Sequence, residues 1–116
     1  MELGSRNSVL LLLLLLLFAA GSLPAEENSK PAPAASIFKS KCVLCHAADG
    51  SGNTPLGKQL QAADLRSKDV QKLSDVEMRK IVHDGRANMP PFDDQISNEE
   101  IASVVRYIRA LARAKK

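Results

Sequence analysis

The sequence has no tryptophan, one tyrosine and three phenylalanines among its 116 residues. So few aromatics leave no stacking platforms of the kind that single-stranded nucleic acid needs, and a net charge of +3 alone does not argue for that class of partner. No stretch alternates polar and apolar residues as a half-buried strand would, no hairpin signal appears, and no internal repeat is visible. An all-α class remains. Without a cofactor, the core of such a chain must rest on small aliphatic side chains.

Hydrophobicity is concentrated at the N-terminus. Residues 1–8 are polar, with Glu2 and Arg6, and residues 9–20 form an unbroken apolar run dominated by leucine. A membrane span needs about 20 apolar residues, so this run fits a secretory signal better. Small residues at 19–21 and 23–25 offer cleavage zones. Residues 1–25 thus read as a signal peptide, which makes the folded part periplasmic or otherwise exported. An uncleaved segment would instead hold the domain at the membrane. Residues 26–33, with Pro31 and Pro33, read as a linker. Residues 34–116 remain as one domain of roughly 80 residues, a size at which a core is marginal without a staple.

Three helices are legible in that domain. The first runs from about Ala34 through Ile37 and Phe38 to Cys42. The second opens at the capping box Ser74-Asp-Val-Glu77, carries Met78, Ile81 and Val82 on one face, and stops at Gly85. The third opens at a second capping box, Ser97-Asn-Glu-Glu100, and continues as the stripe Ile101, Val104, Val105, Ile108 and Leu111. Arg109, Arg113, Lys115 and Lys116 crowd its C-terminal end, where the helix dipole favours positive charge. A shorter helical piece is expected around Lys68 to Leu73.

The only two cysteines lie in Cys42-Val43-Leu44-Cys45-His46, the attachment signal for a covalently bound haem. On a helical turn these three side chains leave from one side of the backbone, so two thiols can meet two vinyl groups while the imidazole reaches the iron. Other readings fit less well. A thioredoxin-like redox pair needs a βαβ pattern. A zinc site would have to combine the pair with His46 and His83 at a spacing that matches no usual finger. A structural disulfide closing so small a loop would constrain the unfolded chain little.

An electron-carrying haem iron needs a second axial ligand, and Met89 is the candidate. Pro90 and Pro91 hold its backbone extended and stiffen the loop that presents it. The competing role is that of an ordinary loop methionine covering the core. Met1 is the initiator, and Met78 sits on the apolar face of a helix. His83, in the last turn of the second helix, is the rival ligand, although a surface role suits that position. The other ring nitrogen of His46 is expected to bond a carbonyl, from Pro55 or a near neighbour in 52–57, although that glycine- and proline-rich stretch equally reads as a plain turn.

Several motifs together resemble the class I cytochromes c of the small bacterial and algal single-haem type. They are Cys42-x-x-Cys45-His46 after a helix, Asp49-Gly50-x-Gly52, Pro55-x-Gly57, Gly85-x-x-x-Met89-Pro90-x-Phe92, and Glu100-Ile101-x-x-Val104-Val105-x-Tyr107-Ile108. The resemblance spans about Ala34 to Ala112. It implies an all-α small cytochrome c fold of three to five helices around one haem c, covalently bound through Cys42 and Cys45. It also implies a close crossing of the first and last helices, with Phe38 and Tyr107 at the aromatic positions. The family often has glycine in the first helix, where Ala34 is the nearest match here.

The function implied is electron transfer, not enzymatic catalysis, with His46 and Met89 filling both axial positions of the iron. Partners would be transient redox proteins such as a dehydrogenase, reductase or oxidase, met by a monomer. Lys39, Lys41 and Lys58 are candidates to steer an acidic docking face. If Met89 were labile, the open iron would suit small-ligand binding or peroxidase-like chemistry. A membrane-tethered electron-entry module of a larger respiratory complex is the further alternative.

Overall fold

The computed structural model describes residues 32–114. The expected signal segment, and the linker up to residue 31, lie outside the described residues. Among the described residues the secondary structure is helical, with no strand beyond an isolated bridge between Arg86 and Met89.

The first helical stretch has three parts in sequence: α1 (Ala34–Ile37), a π-helical segment (Phe38–Cys42) and α2 (Val43–His46). The Ser40 hydroxyl donates to the Ile37 carbonyl at 3.2 Å. Such back-bonding inside a helix competes with the main-chain ladder and bends it. Then follow α3 (Pro55–Leu60), α4 (Lys68–Gln71), α5 (Asp75–Asp84) and α6 (Asn98–Ala114).

The expected capping boxes are both present. Ser74 Oγ accepts from the Glu77 N–H while Glu77 accepts from the Ser74 N–H at 2.7 Å. Ser97 and Glu100 make the same exchange, at 2.9 and 3.2 Å. Gly85 ends α5 as expected, with φ +75°.

One helix runs against the reading of 52–57 as a plain glycine- and proline-rich turn. Thr54 caps α3 and Pro55 opens it, a pairing that favours a helix start because proline has no N–H to leave orphaned there. Its glycine belongs to packing: a Cβ at Gly57 would overlap the Cys45 carbonyl.

The stripe on α6 turns inward as its spacing predicts, with Ile101, Val104, Val105 and Ile108 all buried. Burying each such side chain contributes about 1.5–3 kcal/mol. The buried residues fall into two clusters. One joins Ile37 and Phe38 from the first helical stretch to Leu65, Met78, Val104, Val105 and Ile108, with Cys42 and Val43 packed on its flank. The other joins Val82, Phe92 and Ile101, with Met89 packed against it. Ile96 touches both. The Phe38 and Tyr107 rings lie 5.1 Å apart at a tilt of 48°, which places the expected aromatic contact at the packing of α1 and the π segment on α6.

Candidate haem-attachment site

Cys42, Cys45 and His46 are each half-buried, and both thiols are free. Cys42 closes the π segment, and Cys45 and His46 end α2, so the motif straddles a change of helix type rather than riding one regular α-turn. Burial, and after it the neighbouring Cys45, pushes the Cys42 thiol up to about 11. Redox-active Cys-x-x-Cys pairs depend on a thiol pKa lowered towards neutrality. A thiol kept protonated this firmly speaks against the thioredoxin-like reading.

The imidazole of His46 is fixed by one contact. Its Nδ1 lies 3.1 Å from the carbonyl oxygen of Ala63. A carbonyl only accepts, so Nδ1 carries the proton and Nε2 keeps its lone pair for a metal. Burial lowers the His46 pKa, with the Ala63 carbonyl partly opposing it, and the net effect keeps the ring in its ligating, neutral form. The carbonyl does not come from 52–57 as expected. Pro55 opens α3 instead, and the chain reverses at Gln61, whose φ of +57° turns it back so that Ala63 meets the histidine.

The attachment motif is braced from outside. Thr54 Oγ1 donates to the carbonyls of Leu44 at 2.8 Å and Cys45 at 3.2 Å, and accepts from the Gly57 N–H at 2.8 Å. One hydroxyl therefore caps α3 and holds two carbonyls of Cys-x-x-Cys-His. Gly52 N–H also donates to the His46 carbonyl at 2.8 Å. Sequence reasoning did not single out Thr54; its position directly before proline was the available signal. Arg66 pins the returning strand of chain, pairing with Asp64 at 3.0 Å and with Asp49 at 3.1 Å. Leu44 stands out from the motif, 71% exposed.

Met89 is half-buried and sits in a tight turn closed by reciprocal backbone bonds with Arg86, at 3.0 and 2.9 Å. Gly85 permits that turn, because a Cβ there would come within 2.7 Å of the Met89 carbonyl. His83 is engaged elsewhere: its Nδ1 lies 2.6 Å from Asp84 Oδ1, and it lines an open groove with Val76, Arg79, Lys80, Asn98 and Ile101.

The family described as cytochrome C oxidase, cbb3-type, subunit III matches residues 29–108. The chain belongs to the c-type cytochromes. This cytochrome is 35% identical over 80 residues to a cytochrome c6-like protein of Nostoc sp., covering 69% of this chain and 68% of that one. It is 30% identical over 97 residues to a cytochrome c6 of Rippkaea orientalis, covering 84% and 85%. Its fold is similar to that of the solved KustC0563 c-type cytochrome, with a TM-score of 0.64 at 27% identity, covering 69% of this chain and 98% of that one. The all-α class I reading of the sequence is therefore correct.

The residues present fit the group that the family implies. Two free thiols three positions apart can form thioethers, and a neutral imidazole with a free Nε2 stands beside them.

Proposed function

We propose that the protein is an exported single-haem electron carrier. In this reading haem c is held through Cys42 and Cys45, with His46 and Met89 as the axial ligands. It would pass one electron at a time between redox partners. The observation that carries the reading is the His46 ring, locked by Ala63 with Nε2 free beside two unbonded thiols, in a chain of the c-type family.

Bound haem supplies the one-electron couple, and the chain's residues set its potential. A thioether from Met89 favours the reduced state more than a second imidazole would, which raises the potential. The Ala63 carbonyl makes His46 more basic as a donor and fixes the plane of its ring. Cys42 packs against one apolar cluster and Met89 against the other, so each is partly shielded from water. That burial also disfavours added charge, another lever on the potential.

Docking would be brief and electrostatically guided, as suits a dehydrogenase, reductase or oxidase partner. Lys39, Lys41 and Lys58 are exposed near the attachment motif in the sequence, and Lys41 is held by Gln95 at 3.2 Å. Among the described residues no helix is long and apolar enough to cross a membrane, and the apolar run at residues 9–20 is the candidate tether. Fractionation with N-terminal sequencing of the mature chain separates a free carrier, which starts near residue 26, from an anchored one that keeps Met1.

The test is an optical spectrum of the matured protein. A c-type spectrum with the weak far-red band of a methionine–ferric bond is expected. A c-type spectrum that lacks the band and changes on adding carbon monoxide would replace electron carriage with ligand binding. Absence of covalent haem after maturation would overturn the reading.

A further inference from the structure

Asn88, directly before Met89, sends its side chain away from its own loop. Its Nδ2 donates to the carbonyl oxygen of Leu60 at 3.1 Å, a contact between residues 28 positions apart. A carbonyl accepts only, so the amide must present its nitrogen there. Leu60 is the last residue of α3, the helix that Thr54 caps and that Gly57 seats against the Cys45 carbonyl. A continuous path therefore runs from the Leu44 and Cys45 carbonyls through Thr54 and α3 to Leu60, and from there through Asn88 to Met89.

The turn that this bond holds needs holding. Ala87, next to Asn88, has φ +51°, in the left-handed region where an alanine Cβ crowds the following carbonyl. A residue in that conformation persists only where its surroundings fix it. The Arg86–Met89 backbone pair closes the turn, and the bond to Leu60 is the side-chain link between its tip and α3.

We propose that Asn88 is a positioning residue for the sixth ligand: its bond to Leu60 clasps the Met89 loop to the half of the site that carries Cys45 and His46. The proposal rests on the reading of Met89 as the second axial ligand. The clasp shifts the balance between the loop's bound and detached states towards the bound one. A single hydrogen bond of this kind shifts that equilibrium about two- to tenfold. Asn88 acts through Met89.

Cyanide binding to the ferric holoprotein tests this, because cyanide must displace the sixth ligand and its apparent affinity reports how often that ligand is away. Asn88→Ala, and the isosteric Asn88→Asp, which cannot donate, are each expected to raise apparent cyanide affinity about two- to tenfold and to weaken the far-red band. Met89→Ala should raise the affinity further, and adding Asn88→Ala to it should then change nothing. Equal cyanide affinity of wild type and Met89→Ala would overturn the ligand assignment itself. If Met89→Ala raises affinity but both Asn88 variants match wild type, the assignment stands and the clasp is refuted. An equal effect of Asn88→Ala with and without Met89 would likewise refute it, since the residue would then act by another route.

Discussion

The Nδ1 of His46 and the carbonyl oxygen of Ala63 stand 3.1 Å apart, 17 residues apart along the chain. That contact selects one tautomer, and the tautomer decides which nitrogen can bind a metal. It depends on everything that turns the chain between the two residues: Thr54 at the start of α3, Gly57 within it, and the left-handed Gln61 at its end.

Thr54→Val keeps the shape of the side chain and removes the hydroxyl. It deletes the cap of α3 and both bonds to the carbonyls of the attachment motif. A loss of about 1–2 kcal/mol in unfolding free energy is expected, measured by denaturant titration of the holoprotein. An unchanged midpoint would mean that the attachment motif is held by covalent haem alone.

Gly85→Ala places a Cβ 2.7 Å from the Met89 carbonyl and 2.8 Å from the Pro91 nitrogen, on a backbone with φ +75°. With ψ at 169° this is a region that essentially only glycine adopts, which alone costs an L side chain about 1–3 kcal/mol, and the overlap adds to it. The melting temperature should fall, and the far-red band should weaken with it if Met89 ligates iron. A stable variant with an intact band would show that the turn has more room than its geometry implies.

Phe38 is 1% exposed, whereas Tyr107 is half-buried, so the two sides of their contact should respond unequally. Phe38→Ala is expected to cost about 3–5 kcal/mol, and Tyr107→Ala less. A double-mutant cycle should return a coupling of about 0.5–1.5 kcal/mol for the ring pair. Additive losses would mean that each ring packs on its aliphatic neighbours alone.

Acid should weaken the fold through the capping boxes. Glu77 is held below the usual carboxylate range by the Ser74 backbone N–H, and Glu100 by those of Ser97 and Ala32. A depressed folded-state pKa means that the unfolded chain takes up protons first as pH falls. The stabilisation is therefore complete above the ordinary glutamate pKa of about 4.3 and is lost as pH falls through the lower folded values. Denaturant midpoints should be flat near neutrality and decline in acid, and Glu77→Gln and Glu100→Gln should each flatten that decline. An acid slope unaffected by both substitutions would place the sensitivity elsewhere.

Much of this cytochrome is local, and local features are legible along the chain. Both capping boxes, the inward stripe of α6 and the stop at Gly85 each depend on residues within a turn or two of one another. The haem attachment motif is likewise five consecutive residues. Short helix α3 was within reach, since Thr54 before Pro55 is a start signal, but the neighbouring glycines suggested a turn.

What the tertiary structure alone decided is which distant groups meet. Arg109 was expected to serve the C-terminal end of its helix; instead it reaches across to the Gln71 and Leu73 carbonyls and pairs with Asp75 at 2.9 Å. Ala63 offers the carbonyl that Pro55 or a near neighbour in 52–57 was expected to give, and Asn88 finds Leu60. No periodicity encodes such pairs, because a carbonyl carries no residue identity and any backbone can present one. The residues proposed to hold the haem, Cys42, Cys45, His46 and Met89, can be named from the sequence. Which carbonyls orient His46 and hold the Met89 loop depended on how the segment from Thr54 to Ala63 folds back across the site.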